Sequence, residues 1–136
     1  MGGTLRILLA EDNPGDVRLF REALDSIGLS FELILAEDGE KAIALAKSSA
    51  PNQPLDLVVL DINLPRHKGD EVLRQLRAEP SFRDTPVIVM TSSEAPADRA
   101  AAEWFGASRY IRKPSDLDEL IEVARMIEKL LKQSSS

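Results

Sequence analysis

The run Leu57, Val58, Val59, Leu60 is continuously apolar and branched, and it ends without transition on the carboxylate of Asp61. A run of that length, bounded by Pro54 and Pro65, reads as a strand covered on both faces, and such strands belong to parallel sheets. Four further short runs, 5–10, 31–36, 86–90 and 109–111, alternate with segments of helical character. That alternation predicts a parallel sheet with helices on both of its faces. In open sheets of this kind, ligands gather at the carboxyl ends of the strands, which is where Asp61 stands.

The segments between the strands carry recognisable starts and stops. Asn13 is placed to cap a helix opened by Pro14, in which Val17, Phe20, Leu24 and Ile27 recur at helical spacing before Gly28 stops it. Asp38-Gly39 leads into a helix over about 40–49 with Ala42, Ile43 and Ala46 inward. A third helix carries Val72, Leu73 and Leu76 and is ended by Pro80, with Gly69 freeing the turn before it. A fourth passes through Ala100, Ala101 and Trp104 to Gly106. The last runs from a cap at Ser115 or Asp116 to about Lys132, ahead of a polar tail at 133–136. It has two apolar seams, Leu117, Ile121, Ala124 and Leu131 on one side and Leu120, Val123, Ile127 and Leu130 on the other. One seam is expected to pack on the sheet, and the other is open between internal packing and a homodimer contact.

Composition narrows the chemistry. At 136 residues the chain fits one domain, expected over 4–132, with a core that needs no staples. It has no cysteine, which removes disulfides, thiolate zinc sites and thiol catalysis and suits a reducing, cytoplasmic setting. The net charge of −6 repels a phosphate backbone and an anionic membrane face, so neither nucleic acid nor membrane is expected as a partner. No apolar run approaches the roughly 20 residues of a membrane span, and MGGTLR has no signal-peptide pattern.

Laid side by side, the strand ends offer Glu11 and Asp12, Asp61, Thr91, and Lys113 followed by Pro114. Clustered carboxylates repel one another and favour either raised pKa values or a divalent cation, and an oxygen-only site suits magnesium. Beside such a cation, Asp61 could act as a nucleophile toward a phosphoryl group, with Lys113 offsetting the charge of the transferred oxygens and Thr91 donating to them. Each residue alone has an ordinary reading as a cap, a solvated loop or a local hydrogen bond. Their arrival at successive strand ends is what carries the signal.

The constellation, in this order and with these gaps, resembles the receiver domains of two-component response regulators along nearly the whole chain. The resemblance rests on Glu11-Asp12, on Asp61 in VVLDINLP with Gly69 beyond it, on Thr91 in VIVMTSS, and on Lys113-Pro114 in GASRYIRKP. It implies a flavodoxin-like (βα)5 doubly wound parallel sheet in the order 2-1-3-4-5. It implies Asp61 as phosphoacceptor, magnesium held by Asp12, Asp61, the backbone carbonyl of Asn63 and Glu11, and a cis peptide before Pro114. Thr91 and Tyr110 become the switch pair. The segments EDNPGDVRLFREAL and DINLPRHKGDEVL are most similar to receivers that serve bacterial phytochromes and related sensor histidine kinases.

The expected function is therefore a stand-alone phosphoacceptor switch, not an enzyme in the turnover sense, with a downstream partner that the residues leave unnamed. An aspartyl-phosphate phosphatase would want an acid two residues after the nucleophile, where this chain has Asn63. A receiver-like interaction module that takes no phosphate is the alternative, disfavoured because every reacting position is filled; a flavin carrier of similar topology is a further one. His67, in a polar loop, is read as exposed and idle, and Trp104 as a core anchor of its helix.

Overall fold

The computed structural model describes residues 4–48, 54–61, 64, 69–82, 84–92, 96, 100, 103, 106–114 and 116–134. Strands β1 (Leu5–Ala10), β2 (Phe31–Ala36), β3 (Leu57–Leu60), β4 (Val87–Thr91) and β5 (Arg109–Arg112) form one parallel sheet. Their order is β2-β1-β3-β4-β5, the order expected of the doubly wound fold. Helices α1 (Pro14–Ser26), α2 (Gly39–Lys47) and α3 (Gly69–Ala78) follow the first three strands, a 3-10 turn at Pro80–Phe82 leads to β4, and α4 (Leu117–Ser134) follows β5. The helix expected around Ala100, Ala101 and Trp104 lies largely outside the described residues, as do Ser93 and His67.

Strand alternation sorts the core into two layers. Leu8, Ala10, Val58, Leu60, Val87 and Val89 face Ala42 and Ala46 of α2 and Val72, Leu73 and Leu76 of α3. Ile7, Leu9, Leu57, Val59, Ile88 and Met90 face Phe20, Ala23 and Leu24 of α1 and the inner stripe of α4. The three central strands thus have buried residues pointing both ways, which is why β3, β4 and β1 from Ile7 onward read as apolar runs rather than as alternation.

Local signals place the helices. The Asn13 carboxamide oxygen accepts from the backbone N–H groups of Gly15 (2.8 Å) and Asp16 (3.2 Å), so α1 begins immediately beyond the end of β1. The Asp38 carboxylate caps α2 through the Lys41 N–H at 2.8 Å, and the Asp116 carboxylate accepts from the Glu119 N–H at 2.8 Å at the start of α4; Ser115, the other residue expected there, lies outside the described residues. Gly28 ends α1 at φ +74°, a conformation costly for a residue with a Cβ.

Two expectations need correction. No cis peptide occurs among the described residues, so the bond before Pro114 is trans, the isomer that an X–Pro amide favours by about 0.5–1 kcal/mol. The apolar residues of α4 also do not divide into the two seams drawn from the sequence. The buried stripe takes Leu120 and Ile127 from one and Ala124 and Leu131 from the other, while Leu117, Ile121, Val123, Met126 and Leu130 flank it half-buried. Steps of four, three and four residues keep a stripe on one side of a helix, and α1 packs along it.

Arg77, near the end of α3, has a role that periodicity did not suggest. Its guanidinium donates to the backbone carbonyls of Phe82 (2.7 Å), Thr85 (2.7 Å) and Gly106 (2.9 and 3.2 Å). It ties α3 to the approach of β4 and to the turn before β5. Burial lowers its pKa, countered in part by the charge of Asp84, and a guanidinium stays protonated regardless.

Candidate functional site

The register of the central strands determines where the acids emerge. Ala10 of β1 lies opposite Leu60 of β3, so the next residue of each strand, Glu11 and Asp61, leaves the sheet beside the other. Backbone bonds continue the ladder by one step: the Glu11 N–H donates to Ala36 at 2.9 Å, and the Asp61 N–H donates to Ala10 at 3.1 Å. On the other side, the Lys113 N–H donates to the carbonyl of Thr91 at 2.8 Å, which fixes the lysine's backbone at the end of β4. The cluster is thus positioned by sheet hydrogen bonds rather than by a loop.

Glu11, Asp12 and Asp61 each offer a carboxylate oxygen, and these oxygens lie within 4.8 Å of one another. Glu11 and Asp61 are buried, and Asp12 is exposed. The Lys113 ammonium reaches Glu11 Oε1 at 2.6 Å, Asp16 Oδ2 at 2.8 Å and Asp61 Oδ2 at 3.2 Å. An ammonium has three N–H donors, so all of them are engaged. The other oxygen of Glu11 accepts from the Asn13 N–H at 3.1 Å.

Charge is unbalanced in this group, with four carboxylates around one ammonium. Burial pushes the Glu11 carboxyl above its ordinary 4.5, outweighing the bonds from Lys113 and Asn13 that favour the charged form; the charge of Asp61 adds to the rise. Burial also opposes the charge on Lys113. The bonds to Asp16 and Glu11 and the charges of Asp61 and Glu11 together overcome it and hold the ammonium well above its usual 10.5. A surplus of negative charge therefore keeps Lys113 protonated and leaves the acids short of compensation.

The donor chemistry fits a hard divalent cation: oxygen only, with one exposed carboxylate beside two buried ones. Both oxygens of Glu11 are already engaged by Lys113 and Asn13. A cation would meet Asp12 and Asp61 first, and Glu11 through a remaining lone pair or a bridging water. Asn63, whose carbonyl was expected to contribute, lies outside the described residues.

Of the other expected residues, Thr91 ends β4 with no solvent exposure, one strand away from Asp61. Tyr110 is half-buried on β5 opposite Val89 and packs on the core layer formed with α2 and α3. The residue that sequence reasoning missed is Asp16. It lies in the first turn of α1 and reaches Lys113 only because the Asn13 cap and the packing of α1 beside α4 bring that turn across the end of β5. An acid in a first turn ordinarily marks a helix start, so the sequence held no separate signal for it.

The family model described as the response regulator receiver domain matches residues 7–125. The response regulator Rcp1 of Synechocystis sp. is 34% identical over 125 residues, covering 90% of this chain and 85% of Rcp1. The chain spans about half the length of other curated relatives that it matches. Among solved structures, the phosphorylated cyanobacterial phytochrome response regulator RcpA superposes with a TM-score of 0.87 at 30% identity, covering 98% of each chain. The Mn(2+)-bound form of Rcp1 gives 0.79 at 34% identity over 91% of each. The receiver domain of the sensor histidine kinase PA1611 of Pseudomonas aeruginosa, with magnesium coordinated in its active-site cleft, gives 0.74 at 29% identity over 91% of this chain and 97% of that one.

Proposed function

The chain belongs to the response regulator receiver domain family of two-component systems, and from that premise we propose that Asp61 accepts a phosphoryl group from a sensor histidine kinase. The observation that carries the reading is the convergence of Asp61, Glu11 and the Lys113 ammonium at the carboxyl ends of β3, β1 and β5, with Asp12 beside them. A carboxylate oxygen of Asp61 forms the new P–O bond as the donor's P–N bond breaks, and the electron pair of that bond stays with the leaving imidazole. Lys113 directs an N–H at the phosphoryl oxygens where charge is spread, and the Thr91 hydroxyl donates from the end of β4. Magnesium, held by Asp12, Asp61, Glu11 and the carbonyl of Asn63, would neutralise further phosphoryl charge. The manganese of Rcp1 and the magnesium of the PA1611 receiver support that choice of ion.

The signal is then a population shift. New bonds from Thr91 and Lys113 to the phosphoryl group favour one arrangement of the β4 and β5 ends, with Tyr110 repacking beside them, and a partner reads the altered surface. The phytochrome named for RcpA supports a kinase of that type.

Intact mass measured after adding acetyl phosphate tests the reading. The expected result is a magnesium-dependent gain of one phosphoryl group by the wild type and none by Asp61→Asn, whose fold stays intact. Continued labelling of Asp61→Asn at another residue would remove Asp61 from its role.

A further inference from the structure

Resting on that reading, we infer that Asp16 is a positioning residue for Lys113, fixing the ammonium so that its third N–H points at Asp61. The three contacts of Lys113 are unequal. Glu11 and Asp16 hold it at 2.6 and 2.8 Å, and the phosphoacceptor is the most distant at 3.2 Å. Two short bonds to carboxylates from different elements, one at the end of β1 and one in the first turn of α1, set the rotation of a tetrahedral ammonium. The remaining donor then has one direction left, toward Oδ2 of the Asp61 carboxylate.

The surroundings explain why a second anchor matters. Lys113 and Asp16 both line a shallow open cleft between β1, α1 and α4, whose wall includes Leu9, Leu19, Phe20 and Leu120. Lysine is a flexible stem carrying a point charge, and Glu11 alone leaves it free to swing about a single bond. Asp16 closes that freedom from the cleft side. It is no metal ligand in this scheme, being outside the group formed by Glu11, Asp12 and Asp61.

Two opposite effects separate this role from a general charge effect. An anionic donor approaching the site is repelled by Asp16, so deleting its charge alone would speed labelling. Losing the anchor would slow it. In the full chain with magnesium and acetyl phosphate, Asp16→Ala is expected to label about fivefold more slowly, the size of a partly exposed charged contact. Asp16→Asn keeps an acceptor oxygen and is expected to restore labelling to the wild-type rate or above it.

An independent readout needs no metal and no phosphate. The Lys113 ammonium protons, detected by ¹⁵N–¹H NMR on metal-free protein, are expected to be slow to exchange in the wild type and in Asp16→Asn and lost in Asp16→Ala. Faster or unchanged labelling of Asp16→Ala with its ammonium signal intact would overturn the inference, leaving Asp16 as a helix-start charge. A wild type that takes no label would instead overturn the proposed function and this role with it, even with the ammonium signal present.

Discussion

The centre and the edges of the sheet are built differently, and the candidate site draws on both. Every residue of β3 and β4 is buried, whereas β5 has exposed ends and half-buried Tyr110 and Ile111, and β2 is exposed at Glu32 and Leu35. Glu11 and Asp61 stand on central strands, clamped by apolar layers on both faces. Lys113 and Tyr110 stand on or just beyond an edge strand with a neighbour on one side. Under the proposed function, the group that would take part in covalent chemistry is thus held by packing, while Lys113 is held by three ionic contacts and Tyr110 by packing on one face only. A switch needs that asymmetry, because an element packed on both sides has no second arrangement of similar free energy.

The largest test of the contrast is a matched truncation. Leu60→Ala, with no exposure and neighbours in the α2–α3 layer, is expected to cost about 2–5 kcal/mol of unfolding free energy. Ile111→Ala on β5 is expected to cost about 1–2 kcal/mol, since part of its surface already meets water. Urea denaturation of both variants measures this. Equal losses would mean that β5 is as tightly packed as the centre, and the contrast would fail.

Arg77 offers the next test, since it ties the edge in place with polar bonds instead of apolar packing. Arg77→Met keeps much of the stem and removes donors from the carbonyls of Phe82, Thr85 and Gly106. A loss of about 2 kcal/mol is expected, with amide exchange accelerating around Gly106–Arg112 more than in β1 or β3. Exchange rising evenly over the whole sheet would show that the clamp serves global stability and not the edge.

These two tests also mark what the sequence could disclose. The central strands were legible because burial on both faces leaves unbroken apolar runs, and Glu11, Asp12, Asp61, Thr91 and Lys113 were legible because strand ends are predictable positions. Asp16 and Arg77 were not. Each acts on a partner distant in sequence through a geometry set by helix packing, and a first-turn acid or a late-helix arginine already has a local explanation. The α4 stripe failed for a related reason: with apolar residues on most of one half of a helix, pattern alone leaves the packed direction open, and the placement of α1 decides it. The isomer before Pro114 was inferred from resemblance alone, with no residue pattern behind it.

A smaller effect probes how the acids are held in the centre. Glu11 is ionised less readily in the fold than in the unfolded chain, because burial raises its pKa above 4.5. A raised folded value means that its favourable contribution is complete below the unfolded pKa and is lost as pH rises through the folded one. The melting temperature of the wild type relative to Glu11→Gln should therefore fall by a few degrees as pH rises from below 4.5 toward neutrality, in metal-free buffer. Magnesium should recover part of the loss in the wild type, as a ligand of the native state does. A difference independent of pH would show that Lys113 and Asn13 fully compensate the buried charge.

The smallest effect belongs to the far edge. Leu35 on β2 is 40% exposed, the one large apolar side chain so open among the described residues. Its strand pairs with β1 along the full register from Leu5↔Phe31 to Ala10↔Ala36, and among the described residues no strand pairs with its other side. Leu35→Thr keeps a residue that suits a strand and removes apolar surface already in water, so stability should change by no more than about 0.5 kcal/mol. The same variant should leave phosphoryl labelling unchanged, since β1 stands between Leu35 and Asp61. A loss comparable to that of Ile111→Ala would mean that something covers β2 in solution, and the two edges of the sheet would then have to be treated as different kinds of surface.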